Sequence, residues 1–423
     1  MVHIRPFRGL RPVPELVEQV ASPPYDVLNR QEAVEKAQGN PNSFLHIVRS
    51  EIDVDSSVGE HEDTVYQKGI DNLERFIREG ILKQDINECL YIYRLKMGNH
   101  EQTGLVTTVA VQDYIEKRVK VHEYTRPDKE QDRANHIDRL DAQCGPVFLM
   151  AQSNLLAEML NEAVQRSRKP IYNFKSDYDI QHTFYVIDNK DEIARYVDVF
   201  AGLQAVYVAD GHHRSAAAAR VCEKRRAENP SHTGNEEYNF FLTVIFPSSQ
   251  LRVWDYNRVV RDLHGLSKDT LLDKISEKFD VVECSDDMCN EQCCYRPFKP
   301  TTYGMYVDGN WYLLTAKPGT FNTNDPIESL DIHILRNNLL TPVLGIGDSR
   351  TDTRINFVGG IRGLGELKRL VDSGEFAVAF SLFPTSVQQL IDVADAGEVM
   401  PAKSTWFEPK LRSGLVTHLL NNR

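Results

Sequence analysis

Hydrophobic and polar positions follow two different periods along this chain, one typical of helices and the other typical of strands. Over Thr64–Glu79, apolar residues recur every three or four positions and the stripe stops at Gly80, which predicts a helix. Tyr91–Met97 and Leu105–Val111 instead alternate or are rich in β-branched residues, and a Gly98-Asn99 turn follows the first of them. We expect these two segments to be neighbouring antiparallel strands.

Helix and strand patterns alternate along the rest of the chain, which predicts a mixed α/β fold. The helical segments are Asn154–Arg166, Asp191–Phe200, an alanine-rich stretch ending at Glu228, Lys268–Phe279, Ile327–Leu340 and Ser386–Ala396, and the strands are His182–Ile187, Gln204–Ala209, Phe240–Phe246 and Phe376–Phe383, with a hairpin around Asp308-Gly309. The sequence changes character after about Gly265. Because 423 residues are many for one domain, we expect two, residues 1–265 and 266–423.

The segment Tyr207–Arg220 combines a buried strand, an abrupt polar turn and the alanine-rich helix, and its turn reads Asp210-Gly-His-His-Arg. Ligands usually bind at strand-to-helix turns in α/β proteins, and the first turn of a helix favours phosphate. Gly211 permits a tight turn or close approach of a ligand, and Arg214 can grip phosphate oxygens with its guanidinium fork. Asp210 can hold Mg²⁺, and the two histidines can donate hydrogen bonds or act in acid–base chemistry. The alternative is a polar helix cap with solvated histidines.

Zinc is the other metal to consider. His212 and His213 could bind it, but adjacent ligands on a turn need help from elsewhere in the chain. A second candidate is the cysteine cluster of Cys284, Cys289, Cys293 and Cys294. Its spacing lacks the paired Cys-x-x-Cys pattern, so reduced thiols in a cytosolic loop are the favoured interpretation.

His122-Glu123 stands at the end of a strand-like segment, directly before a very polar stretch. A glutamate in this position can act as the general base for a hydroxyl group, although a surface glutamate is an equal alternative. Thr125, with a proline and an aspartate behind it, predicts a capped helix start. The helix that follows carries Arg126 and Arg133 on its polar faces, where a solvated surface helix is the alternative.

Three further segments carry weaker signals. The glycine-rich turn Gly359–Gly365 fits neither a P-loop nor a dinucleotide fingerprint with its preceding strand, so a loop before a helix is favoured. Lys403-Ser404-Thr405 could contact an anionic substrate or form an ordered C-terminal arm. Pro23-Pro24-Tyr25-Asp26 is a stiff extended segment, either an arm laid over the body or a rigid support for a site.

Charge and hydropathy limit the function classes. The formal net charge of −12 argues against nucleic acid as a partner, because nucleic-acid binding needs a basic surface. No segment has the roughly 20 apolar residues of a membrane helix, and the first residues lack the apolar core of a signal peptide. We therefore expect a cytoplasmic protein without a membrane partner. The oligomeric state stays open, a homodimer included.

Four separated motifs resemble the family called domain of unknown function 1015. They are Pro23-Pro24-Tyr25-Asp26-Val27, His122-Glu123-Tyr124-Thr125, Asp210-Gly211-His212-His213-Arg214 and Lys403-Ser404-Thr405-Trp406-Phe407-Glu408-Pro409-Lys410. They occur in order and span almost the whole chain. The family name implies no function.

The Asp-Gly-His-His-Arg turn also resembles the Asp-Gly-His-x-Arg element of the free-serine kinases in the ParB–sulfiredoxin superfamily. This resemblance implies a ParB/sulfiredoxin-like nucleotide-binding core, with a large mixed α/β C-terminal part added. It implies that Asp210, His212, His213 and Arg214 handle phosphates and Mg²⁺ and that Glu123 acts as the base on the acceptor hydroxyl. Together with the sequence signals above, the candidate site contains, for catalysis, Glu123, His212 and Asp210; for the nucleotide, Gly211, His213, Arg214 and Ser215; for the metal, Asp210 and His212; and for the substrate, His122, Thr125, Arg126, Arg133, Lys403, Ser404 and Thr405.

Two differences in the turn argue against the sulfiredoxin and ParB branches of this superfamily. Sulfiredoxins have a reactive cysteine where this chain has His212, and ParB proteins have Gly-Glu-Arg-Arg where this chain has Gly211 and two histidines. Our hypothesis is therefore a phosphotransferase that uses Mg²⁺ and ATP or ADP on free serine, phosphoserine or a similar hydroxylated metabolite. It requires Glu123 and His212 to border one pocket. A non-catalytic nucleotide-binding regulator and a metal-dependent phosphohydrolase are the alternatives.

Overall fold

The computed structural model describes residues 1–166, 169–284, 296–349, 351–401 and 403–421. It confirms a mixed α/β fold with parallel and antiparallel strand pairs. The chain divides into two compact units. Unit 1 comprises Met1–Val121, Thr125–Leu251 and Pro409–Arg423, and unit 2 comprises His122–Tyr124 and Arg252–Glu408. The expected boundary between residues 265 and 266 stays a prediction.

A large mixed sheet organises unit 1. Its strands are β1 (Ile4–Arg5), β4 (Leu90–Met97), β5 (His100–Ala110), β6 (Val119–Lys120), β8 (Val147–Ala151), β9 (Tyr172–Lys175), β10 (Gln181–Ile187), β11 (Val206–Asp210) and β12 (Phe240–Pro247). Their order is β6-β11-β8-β12-β5-β4-β10-β9, and β1 pairs with β5. Two small ladders join β2 (Leu10–Pro12) to β3 (Leu82–Gln84) and β7 (Ala142–Gln143) to β21 (His418–Leu419).

Unit 1 also contains α-helices, among them those predicted at residues 64–79, 154–166 and 191–200. They are α1 (Val17–Val20), α2 (Arg30–Ala37), α3 (Leu45–Val48), α4 (Asp63–Arg78), α5 (Val111–Ile115), α6 (Pro127–Leu140), α7 (Asn154–Gln165), α8 (Lys190–Ala201) and α9 (His212–Glu228). Buried side chains of α7, α8 and α9 share one apolar cluster with strand residues such as Leu105, Leu149 and Ile245. The continuous apolar run on β12 is buried, as expected for a central strand.

A second sheet organises unit 2. Its order is β15-β17-β16-β19-β14-β18, where the strands are β14 (Tyr256–Val260), β15 (Phe279–Cys284), β16 (Thr302–Val307), β17 (Asn310–Ala316), β18 (Ile355–Gly359) and β19 (Val378–Leu382). A short ladder joins β13 (Val253–Trp254) to β20 (Trp406–Phe407). The helices are α10 (Lys268–Ser276), α11 (Asp331–Leu335), α12 (Gly363–Asp372) and α13 (Val387–Asp395), and one π-helical turn, Arg336–Leu340, continues α11.

One local expectation, the cap at Thr125, is corrected. The α6 helix begins with Arg126 as its cap residue and Pro127 in the first position, and Thr125 does not cap it. The hydroxyl of Thr125 donates to Glu130 Oε2 instead, at 2.7 Å. The glycine-rich turn does follow a strand, β18, but that strand is antiparallel to β14, so the turn is not part of a parallel dinucleotide-binding unit.

Two further points concern the membrane-helix and cysteine-cluster expectations. Within the described residues, none of the helices combines the length and apolarity needed to cross a membrane. Of the cysteine cluster, only Cys284 is described; Cys289, Cys293 and Cys294 lie outside the described residues.

Candidate functional site

The turn between β11 and α9 is built on a left-handed glycine. Gly211 has φ = +98°, a conformation that other residues rarely adopt, and it serves as the cap residue of α9. A Cβ atom at this position would lie only 3.0 Å from Arg214 Nε. The cap has no side-chain hydrogen bond and the first turn of α9 has no acidic residue. The turn therefore presents a helix N-terminus that is not neutralised by an acidic side chain of its own first turn.

Asp210 at the end of β11 is paired with two cations. Its carboxylate oxygen Oδ2 lies 3.2 Å from Lys410 Nζ and 3.5 Å from Arg214 Nη2. Burial acts to raise the pKa of Asp210, but the charges of Lys410 and Arg214 outweigh burial and hold that pKa well below its usual range. Asp210 is therefore ionised at neutral pH.

Arg214, in the first turn of α9, is buried, with 9% of its surface exposed. Its Nη1 donates to the carbonyl oxygen of Pro146. Its Nε is buried and has no hydrogen-bond partner among the described residues. Burial acts to lower the pKa of Arg214, but Asp210 and Asp26 outweigh it, so the group stays charged. A buried charged donor without a partner is costly, so Arg214 Nε is a candidate for contact with a water molecule or a ligand.

Arg214 lines a small, partly open cavity with a volume of about 40 Å³. The polar and aromatic side chains that line it with Arg214 include Tyr25, Arg133 and His136. Arg133 Cζ lies 4.2 Å above the centre of the Tyr25 ring, and Asp132 anchors its Nη2 at 2.6 Å. Burial raises the pKa of Tyr25 to about 12, so its hydroxyl stays protonated. Two guanidinium groups and a phenol thus converge on one cavity.

The two histidines of the turn are held differently. Burial lowers the pKa of His212 to about 4, so its ring is neutral at pH 7. His213 Nε2 accepts a hydrogen bond from the backbone N–H of Arg126, at 3.1 Å. The hydroxyl of Ser215 donates to the carbonyl oxygen of His212, at 3.0 Å.

The metal-binding chemistry of this turn depends on one carboxylate, that of Asp210. The described ranges contain no group of three or more His, Cys, Asp and Glu residues placed to hold a metal ion. A structural or catalytic zinc site needs three or four such ligands. Mg²⁺ commonly uses one or two carboxylates and takes its other ligands from phosphates and water. The single ionised carboxylate of Asp210 fits that second pattern.

Unit 2 brings two distant motifs together, and it contains the predicted residues His122, Glu123, Lys403, Ser404 and Thr405. His122 is buried, its Nε2 lies 3.2 Å from Thr405 Oγ1, and its carbonyl oxygen accepts from the backbone N–H of Met400 at 2.8 Å. Lys403 is exposed, whereas Ser404 is buried. The His122-Glu123 and Lys403-Ser404-Thr405 motifs are therefore neighbours within unit 2. That Glu123 and His212 border one pocket stays a prediction.

Two residues near the β11–α9 turn, Tyr25 and Lys410, were not among the site residues predicted from the sequence. Both belong to motifs that carry the family resemblance, so the signal was present in the sequence. Of the residues that were selected, Arg133 lines the cavity with Arg214. Arg126 is exposed and pairs with Asp128 at 2.8 Å, outside that lining.

Comparisons with known proteins give a family but no function. No curated protein matches this chain. Matching solved structures include a conserved hypothetical protein from Pyrococcus furiosus, with 11% identity, 73% of this chain and 95% of that chain covered, and a TM-score of 0.34. A free serine kinase in complex with AMP has 10% identity, 74% and 91% coverage and a TM-score of 0.35. SbnI with C-terminal truncation from Staphylococcus aureus has 12% identity, 74% and 87% coverage and a TM-score of 0.33.

TM-scores of this size support no conclusion about the fold or function of this chain. The family match is of a different kind, because it extends over most of the sequence. A family model described as protein of unknown function, DUF1015, matches residues 4–333, and the chain belongs to this family.

Proposed function

We propose that this protein is a phosphotransferase that binds a nucleotide through the β11–α9 turn and phosphorylates a small hydroxylated metabolite, free serine first among them. The observation that carries the proposal is Arg214. It is buried and charged, its Nε has no hydrogen-bond partner among the described residues, and it lines one cavity with Arg133. Phosphate oxygens are the ligands that such paired guanidinium groups bind best.

The neighbours of Arg214 support a phosphate ligand in two ways. The N-terminus of α9 adds a positive dipole end, and Gly211 leaves no side chain between the backbone and a bound group. Arg133 is held against the Tyr25 ring and Asp132, so its orientation is fixed before a ligand arrives. A site ordered in advance loses less entropy on binding.

Asp210 is the residue that we assign to Mg²⁺. It is ionised at all pH values of interest because Lys410 and Arg214 hold its pKa low. The metal would neutralise charge on the transferring phosphoryl group, with phosphate and water as its remaining ligands. Neutral His212 would add a hydrogen-bond donor or a second ligand.

The acceptor side of the proposal rests on Glu123, by its resemblance to the base of the free-serine kinases. Glu123 would take the proton from the acceptor hydroxyl, whose oxygen bonds to the phosphorus as the bond to the nucleotide breaks. His122, Thr125, Arg126, Arg133 and the Lys403–Thr405 segment are the substrate-binding candidates. We place the reaction in the cytoplasm, with small molecules as partners.

The first test is binding and turnover with the purified full chain. Calorimetry with ADP and Mg²⁺ is compared between the wild type and Arg214→Gln, with Arg225→Gln as the matched control. Arg225 lies at the other end of α9, where it pairs with Asp138 at 2.9 Å. We expect Arg214→Gln to weaken ADP binding about 10- to 100-fold, as for the loss of a charge-assisted contact, and Arg225→Gln to leave it unchanged.

Turnover is followed as phosphoserine formed from L-serine, Mg²⁺ and ATP or ADP, and as phosphoserine consumed in the reverse direction. Nucleotide binding without turnover in either direction would favour the non-catalytic regulator. If neither binding nor turnover occurs, the nucleotide proposal is wrong. Phosphoserine hydrolysis that needs a metal but no nucleotide would indicate the phosphohydrolase instead.

A further inference from the structure

The loop that carries Lys403 holds this residue in a left-handed conformation. Lys403 has φ = +59°, which for a lysine is uncommon and unfavourable by comparison with ordinary loop conformations. Its side chain is exposed, and its Nζ lies 6.0 Å from the centre of the Tyr256 ring. Strained residues persist where the surrounding structure fixes them, and they concentrate at ligand-binding positions.

The surrounding contacts fix the backbone of this loop at three carbonyl groups. Arg258 Nη2 donates to the carbonyl oxygen of Lys403 at 2.8 Å, and Thr385 Oγ1 donates to that of Ser404 at 3.0 Å. The Ser404 hydroxyl in turn donates to the carbonyl oxygen of Pro401 at 2.5 Å. The carbonyl groups of Lys403 and Ser404 are thus held by side chains from other parts of unit 2, while the Lys403 side chain is exposed.

Arg258 is the central support. It lies on β14 with only 2% of its surface exposed, and its Cζ lies 5.0 Å from the centre of the Phe357 ring. A buried guanidinium directed at a backbone carbonyl is an expensive way to order an exposed loop. We propose that Arg258 is a positioning residue that holds Lys403 so that its ammonium group binds the carboxylate of the acceptor molecule. This inference rests on the proposed function for the identity of the acceptor.

A carboxylate suits this position better than the transferred phosphoryl group. Lysine presents one compact charge, whereas the paired guanidinium groups that match phosphate lie in unit 1, at Arg133 and Arg214. Thr405, two positions further on, adds a hydroxyl that is oriented by His122 Nε2 at 3.2 Å. An amino or hydroxy acid offers the carboxylate that these groups would bind.

The test makes the same lysine-to-glycine substitution at two left-handed positions, so that the effect of relieving backbone strain can be told apart from the effect of losing a substrate contact. Lys403→Gly relieves the left-handed strain and removes the ammonium group, and Lys117→Gly does the same at a lysine of unit 1 with the same φ of +59°. We expect both variants to melt at the same or a higher temperature than the wild type. Only Lys403→Gly should raise KM for L-serine, about tenfold, with kcat and KM for the nucleotide unchanged.

A binding measurement keeps the inference independent of turnover. Calorimetry compares L-serine with ethanolamine, which has the same hydroxyl and amine but no carboxylate. The wild type should prefer L-serine, and Lys403→Gly should lose that preference. If this holds while no variant transfers phosphate, the proposed function fails and the carboxylate site stands. If phosphotransfer occurs and Lys403→Gly keeps both KM and the preference, the carboxylate site is wrong.

A separate experiment tests whether Arg258 positions Lys403. Arg258→Lys keeps a charge at this position but loses the donor that reaches the Lys403 carbonyl. In a double-mutant cycle, we expect the effects of Arg258→Lys and Lys403→Gly on KM for L-serine to be non-additive, because the first acts through the second. Additive effects would show that Arg258 does not position Lys403. Circular dichroism and the melting temperature identify any loss of folding.

Discussion

The two units contain buried titratable groups that respond oppositely to pH, among them three histidines in unit 1 and one aspartate in unit 2. Unit 1 encloses His136, His182 and His212, and burial lowers their pKa values to about 4, 3 and 4. Unit 2 encloses Asp331, which is 8% exposed, and burial raises its pKa to about 7. In both units burial favours the neutral form, but for a base and an acid this has opposite consequences for stability.

For the histidines, the unfolded chain binds protons from about pH 6.5 downward, whereas the folded chain binds them only near pH 3 to 4. Their contribution to stability is therefore complete above pH 6.5 and is lost as the pH falls toward 4. Asp331 behaves in the opposite way. Its contribution is complete below the ordinary pKa of 3.8 and is lost as the pH rises through 7. Mild acid should weaken unit 1 and strengthen unit 2.

The units also differ in how they make a left-handed turn at a candidate site. Unit 1 uses Gly211, for which φ = +98° costs little, and unit 2 uses Lys403, which must be held there by other side chains. The glycine allows a ligand to approach the backbone, whereas the lysine presents a side chain. A turn that binds a ligand through its backbone thus needs glycine at the left-handed position, whereas a turn that binds through a side chain needs a residue such as lysine there.

The largest effect is expected from Asp331→Asn at alkaline pH. Oδ1 of Asp331 accepts the N–H of Thr301 at 2.8 Å, which an amide oxygen can also do, while the cost of a buried carboxylate disappears. We expect the variant to be more stable than the wild type at pH 8, by up to about 4 kcal/mol, and the difference to fall to about 1.5 kcal/mol at pH 5. Urea denaturation at both pH values measures this. Asp308→Asn, at an exposed turn of unit 2, is the control and should change stability by less than about 0.5 kcal/mol.

His182→Gln tests the opposite dependence in unit 1. The ring is fully buried, with Tyr93 Oη at 2.6 Å from Nδ1 and Ser176 Oγ at 2.8 Å from Nε2. Between pH 6.5 and 4 the wild type should lose up to about 3 kcal/mol of unfolding free energy through this residue, and the variant should lack that loss. His100→Gln is the control on the same sheet. An unchanged slope for His182→Gln would show that the ring does not stay neutral.

Gly211→Ala should combine a moderate loss of stability with a loss of binding. The left-handed φ costs an alanine about 1–3 kcal/mol, and the new Cβ lies 3.0 Å from Arg214 Nε, so the guanidinium group must move. ADP binding should weaken at least about tenfold. Gly98→Ala, also left-handed but with open space around its Cβ, isolates the strain and should leave ADP binding unchanged. If both variants bind ADP equally well, the β11–α9 turn does not bind the nucleotide.

The sequence predicted the elements whose patterns are local and left out the contacts that only tertiary folding creates. The β4–β5 pair and α9 could be found because alternation and the alanine run each repeat over several residues. Lys410 could not be paired with Asp210 from sequence, because the two residues are 200 positions apart. The Thr125 cap was wrong because the helix begins one residue later than expected, with Arg126 as its cap residue and Pro127 in the first position. The Thr125 hydroxyl donates to Glu130 instead.

The smallest effect is expected from Lys117→Gly, and it sets the scale for Lys403. Lys117 has φ = +59° just after α5, in a position where it is exposed. Glycine removes the left-handed strain but adds freedom to the unfolded chain, so the net gain in unfolding free energy should be about 0.5–1 kcal/mol. Urea denaturation measures the gain for both lysines. If Lys403→Gly gains as much as Lys117→Gly, Arg258 fixes the loop without removing its strain; a clear loss would mean that the Lys403 side chain itself stabilises unit 2.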